Sequence, residues 1–70
     1  MRLSKAEAYD LVGAALEQVE ADRYYRLGQA IWNLMPLRVT EGKIGTEVDF
    51  FYQTDDQKAY GMFMKNFVES

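Results

Sequence analysis

Apolar side chains recur along the first third of the chain at a spacing of three and four. Ala8, Leu11, Val12, Ala15, Leu16 and Val19 form one stripe, and Glu7, Asp10, Glu17 and Gln18 occupy the rest of the surface. That period predicts an amphipathic helix. Its start is marked by Ser4-Lys5-Ala6-Glu7, a capping box in which each side chain can satisfy the other residue's backbone N–H. The pattern predicts an end near Glu20 or Ala21. Gly13 is a mild interior cost and offers room for a neighbouring helix.

A second stripe follows at once. Tyr24, Leu27, Gly28, Ile31, Leu34 and Met35 fall on one face of a helix over 23–35, with Asp22 as its N-cap. So short a connection predicts an antiparallel helical hairpin. Pro36 stops the run, because it lacks an N–H and disfavours helical backbone at Met35.

Residues 37–53 carry two competing patterns. Leu37-Arg38-Val39-Thr40 alternates like a strand, and Val48-Asp49-Phe50-Phe51-Tyr52 is rich in strand formers, with Gly42 and Gly45 available for turns. The other reading is a short helical turn after Pro36, a glycine-bounded loop, and a turn opened by Thr46 with Asp49 three residues on. An isolated two-stranded hairpin is marginal in water, so the irregular, mainly helical version is favoured. Thr54-Asp55-Asp56-Gln57 then reads as a second capping box, with Thr54 at the cap and two acids in the first turn. Behind it Tyr60, Phe63, Met64, Phe67 and Val68 make the apolar face, and Lys58, Lys65 and Asn66 stay outside. The final turn needs to dock if it is not to fray. The expected fold is mainly α: one compact three-helix domain over residues 1–70, with an irregular aromatic-rich connection, or a short β-hairpin, between helices two and three.

Composition narrows the chemistry. The 70 residues include no cysteine and no histidine, which removes thiol nucleophiles, zinc–thiolate sites, imidazole bases and imidazole metal ligands. A 49% apolar fraction with a net charge of −3 is too hydrophobic and too weakly charged for a disordered chain. No apolar run approaches the roughly 20 residues of a membrane span, and the N-terminus does not read as a signal peptide. The expectation is a protein of a reducing compartment, the cytoplasm of a bacterium or of an infected host cell, without cofactor or metal. The acidic balance argues against general nucleic-acid binding, which needs a basic surface for phosphates. Catalysis by paired carboxylates needs a cleft that about 70 residues rarely supply. Gly42-Lys43-Ile44-Gly45-Thr46 lacks the residue order of a phosphate-binding loop.

Two constellations remain. Tyr25, Arg26, Gln29 and Trp32 lie toward one flank of the second helix and are joined by Phe50, Phe51 and Tyr52; arginine, tyrosine and tryptophan are the residues enriched at binding hot spots. The structural alternative is that Trp32 completes the protein's own core and the arginines pair with Glu20 and Asp22. Six aromatics (Tyr9, Tyr25, Trp32, Phe50, Phe51, Tyr52) are hard to bury together in so small a body, so some should meet another chain, and a homodimer is the simplest outlet. Glu47, Asp49, Asp55 and Asp56 form an acidic group. It reads either as a patch for a basic protein surface or as caps and solvated side chains, and it lacks the spacing of a calcium loop.

The run Arg-Tyr-Tyr-Arg-Leu-Gly-Gln-Ala-Ile-Trp-Asn-Leu-Met-Pro over 23–36, followed by Gly45-Thr46-Glu47-Val48-Asp49-Phe50-Phe51-Tyr52, resembles a pattern in small uncharacterised phage and prophage proteins. The likeness covers the middle third of the chain, in its RLGQAxxN core. It implies a setting and no defined activity. Small acidic phage proteins without catalytic equipment often act by occluding a host protein, as many anti-CRISPR and other anti-defence proteins do. The leading expectation is therefore a non-catalytic protein–protein interaction protein whose partner is a host factor. The alternatives are a small DNA-binding regulator reading bases with Arg23, Arg26, Gln29 and Asn33, and an assembly subunit. Against the DNA reading, the first helix carries four acids and the turn between helices lacks the usual glycine.

Overall fold

The computed structural model describes residues 2–69. Four helices follow in order: α1 Lys5–Ala21, α2 Leu27–Leu34, α3 Leu37–Thr40 and α4 Asp56–Phe67. The mainly α expectation holds, and the short helical turn expected after Pro36 is present as α3.

Helix α1 starts where its capping box places it. The Ser4 hydroxyl accepts from the Glu7 N–H at 3.2 Å, and the Glu7 carboxylate accepts from the Ser4 N–H at 3.0 Å. Ala8 and Ala15 are fully buried, with Leu11, Val12 and Val19 packed beside them. Gly13 has no neighbour within 4 Å of a Cβ built on it, so it accommodates no helix of its own chain.

The second helix is shorter than its periodicity implies. Asp22 builds a turn instead of capping a helix at Arg23: its carboxylate accepts from the Tyr24 N–H at 3.0 Å and its carbonyl from the Tyr25 N–H at 3.0 Å. A side chain that bonds its own backbone two residues on makes a competing turn. Arg26 is then extended and serves as N-cap, its N–H bonded to Gln29 Oε1 at 3.1 Å. The consequence is a misplaced tyrosine. Tyr24 is 84% exposed, not part of the buried stripe.

Residues 41–48 are turns and a bend, and no strand pair forms within 37–53, so the irregular reading of this segment holds and the β-hairpin does not. Gly42 and Gly45 take left-handed backbone, with φ of 79° and 77°, where a Cβ would clash with its own peptide. Thr46 does not cap a helix; its hydroxyl donates to the Lys43 carbonyl at 2.6 Å. Asp49 is the organiser of this loop. One carboxylate oxygen accepts from the Gly45 N–H at 2.7 Å and the other from the Phe51 N–H at 2.9 Å. The residue it brackets, Phe50, is driven into the centre of the core.

Phe50 meets Trp32, Phe67 and Phe63 edge to face, with centroids 5.1, 5.6 and 6.1 Å away, and Trp32 also meets Phe67 at 5.6 Å. Each such pair contributes about 0.5–1.5 kcal/mol beyond its buried area. This aromatic knot joins α2, the 50–53 segment and α4.

Helix α4 begins one residue later than its capping box suggests. Asp55, not Thr54, is the cap, and its carboxylate accepts from the N–H groups of Gln57 and Lys58 at 3.0 and 3.1 Å. Ala59, Phe63 and Phe67 face inward, and Tyr60 is exposed. The last turn does dock. Leu3 and Val68 form a parallel bridge, closed by Leu3 N–H to the Phe67 carbonyl and Glu69 N–H to the Leu3 carbonyl, both 2.8 Å. Arg2 adds a bond to the Lys65 carbonyl at 2.9 Å, satisfying a helix-end acceptor.

Candidate protein-interaction surface

The first turn of α2 and the segment 50–56 lie against each other. Gly28 makes this possible: a Cβ there would stand 2.9 Å from the Phe50 carbonyl oxygen and 3.3 Å from that of Gln53. One residue earlier, the Leu27 N–H reaches the Asp56 carboxylate at 3.4 Å. Two stretches far apart in sequence are thereby fixed side by side; exposed Tyr24 stands in the turn just before the first, and exposed Tyr52 lies within the second.

The seven residues expected to contact a partner divide. Phe50 is fully buried and is core. Trp32 is half-buried, packed on Phe50 and Phe67, so it completes the protein's own interior. Gln29 is half-buried and caps the backbone of Arg26. The surplus of aromatics foreseen from composition is smaller than it looked, because the 41–49 loop folds back far enough to bury Phe50.

Of the exposed aromatics, Tyr24 and Tyr52 flank this contact, while Tyr9 on α1 and Tyr60 on α4 are exposed on other elements. Tyr24, at 84%, carries the Arg23 guanidinium 5.8 Å from its ring centroid, a cation–π contact. Tyr52, at 78%, packs edge-on against half-buried Phe51 at 4.9 Å. Tyr25 is half-buried, its hydroxyl accepting from Asn33 Nδ2 at 2.9 Å. Arg26 is also half-buried, and its Nε–H is buried without a hydrogen-bond partner among the described residues. An orphaned donor of this kind costs about 1–3 kcal/mol. Neither arginine pairs with Glu20 or Asp22; among the described residues the one ion pair is Arg38 with Glu7, at 2.9 Å.

Tyr24 is the residue the sequence reading missed. Its signal was Asp22, whose side chain can bond the N–H two residues on and so delay the helix. Had the turn been recognised, the tyrosine would have fallen outside the stripe.

The acidic group is mostly structural. Asp49 clamps the loop, Asp55 caps α4 and Asp56 bonds the α2 N-terminus, leaving Glu47 exposed. No three of the described acidic residues converge as a metal-holding group. The described residues open no pocket, and no helix among them is long and apolar enough to cross a membrane. Leu37 and Ile44 are exposed as well, at 70% and 69%. Isolated apolar residues of this sort are ordinary on protein surfaces. No protein family, curated protein or solved structure matches the chain.

Proposed function

We propose that the chain is a non-catalytic protein-binding domain that also pairs with itself. Its partner contact is formed by Tyr24, Tyr25 and Arg26 together with Phe51 and Tyr52. The observation that carries this reading is the contact at Gly28, which joins the start of α2, just after the turn that exposes Tyr24, to the segment that exposes Tyr52. Tyrosine and arginine supply large contact area and hydrogen bonds at modest entropic cost, which suits them to hot spots. In the phage setting that the sequence resemblance implies, the partner is a host defence or regulatory protein, and the domain acts by covering its working surface.

Reading of DNA by the second helix has less support. Arg23 and Arg26 precede α2, and Gln29 and Asn33 are engaged within the chain. Protein binding is tested by presenting the wild-type chain and a Tyr24→Ala/Tyr52→Ala variant to host extract and quantifying what each retains. A protein held by the first and lost by the second supports the surface. An unchanged set of retained proteins removes it, and retained duplex DNA at low salt would favour the regulator instead.

A further inference from the structure

Two large apolar side chains stand exposed on the outward side of α1, with half-buried Val12 at the edge of the core beside them. Tyr9 is 61% and Leu16 49% exposed, and Gly13 between them has open space above it. At about 100° per residue, Lys5, Tyr9, Val12, Gly13, Leu16 and Glu20 fall within an arc of about 100°. The arc has a positive end and a negative end. Neither Lys5 nor Glu20 has an ion-pair partner among the described residues.

We infer that this face binds a second copy of the same chain, α1 against α1, antiparallel about a two-fold axis at Val12 and Gly13. The inference rests on the self-pairing in the proposed function and supplies its surface. The stripe is self-complementary only in that direction. A two-fold axis between positions 12 and 13 sets Tyr9 against the partner's Leu16, Val12 against the partner's Gly13, and Lys5 against the partner's Glu20, each pairing occurring twice. A parallel arrangement would oppose lysine to lysine and glutamate to glutamate. Gly13 at the crossing lets the helices approach toward the near end of the usual 8–10 Å range. Asp10 and Glu17 lie about 110° and 90° from the centre of this arc, outside the contact. One helix pair about 25 Å long buries less than a standard interface of about 1,600 Å². The pairing is therefore reversible and concentration-dependent.

Sedimentation equilibrium over a concentration series at low salt tests this with the full chain. The expected mass rises from 8.1 kDa toward twice that value. Leu16→Asp should abolish the rise. Lys5→Glu alone, or Glu20→Lys alone, should weaken association about tenfold, because two attractive pairs become two repulsive ones. Both single changes place the new charge favourably on the helix dipole, so misfolding does not explain a loss. The double reversal restores the pairing and should recover wild-type association. A mass of 8.1 kDa at every concentration overturns this surface and the self-pairing together. A dimer indifferent to Leu16→Asp overturns the surface alone, and a dimer indifferent to the charge reversals overturns the antiparallel arrangement. The Tyr24→Ala/Tyr52→Ala variant should dimerise normally, which separates this contact from the partner-binding one.

Discussion

Gly28 of α2 and the backbone of Phe50 are in contact so close that a methyl group on Gly28 would sit 2.9 Å from the Phe50 carbonyl oxygen and 3.2 Å from Ala59 Cβ. In an exposed helix, glycine to alanine stabilises by about 0.5–1 kcal/mol. Here the obstacle is backbone and cannot swing aside. Gly28→Ala should destabilise by about 1–3 kcal/mol, as overpacking does. Gly61→Ala, on the open face of α4 with nothing within 4 Å, should instead raise the melting temperature by about 4 °C. Opposite shifts in two thermal melts are the expected result.

Phe50→Ala removes the hub of the aromatic knot. Truncating a buried phenylalanine costs about 3–5 kcal/mol, as much as a single core of this size supplies. The variant should be largely unfolded at room temperature. Helical circular dichroism and the emission of Trp32, the one tryptophan in the sequence, both report it.

Tyr24→Ala and Tyr52→Ala should behave in the contrary way. Both side chains are more than three-quarters exposed, so stability should move by no more than about 0.5 kcal/mol. Partner affinity should fall by about tenfold or more for each. Binding and melting measurements on the same samples separate contact residues from core residues.

The α1 capping box predicts a dependence on pH. The Glu7 carboxyl is held below its ordinary 4.5, first by the Ser4 backbone N–H and then by the Ser4 hydroxyl; desolvation opposes the shift, and Arg38 adds a smaller attraction. A lowered folded-state value means that the unfolded chain takes up the proton more readily. The stabilising contribution is complete above 4.5 and is lost as pH falls through the lower folded value. Glu7→Gln should flatten the acid limb of the melting temperature against pH, leaving the contribution of the other carboxylates. Ser4→Ala, which removes the cap, should cost about 1 kcal/mol at neutral pH.

The two long helices, α1 and α4, were legible in the sequence, because their periodicity runs for three turns or more and their starts carry acceptor side chains. The errors share one cause. At Asp22, Thr54 and Thr46 the same short polar side chains serve helix caps and local turns, and sequence spacing alone does not choose between them. The choice is made by contacts distant in sequence, such as the Gly28 approach to Phe50 and Gln53. The candidate surface suffered from the same ambiguity. Phe50, Phe51 and Tyr52 are consecutive aromatics of similar character; the Asp49 clamp and the Gly28 contact together leave the first buried, the second half-buried and the third exposed.

The bridge between Leu3 and Val68 has a consequence for engineering. It sets Leu3 beside Val68 with the two segments running the same way, so a flexible peptide long enough to turn back past the bridge could join the described ends into a circle without displacing any helix. New termini could then be opened between Gly42 and Gly45, where every residue is exposed. In such a permutant, α4 and α1 would become neighbours along the chain. The slow search that now brings residues 3 and 68 together would be replaced by a local step, and folding should be faster for the same final structure.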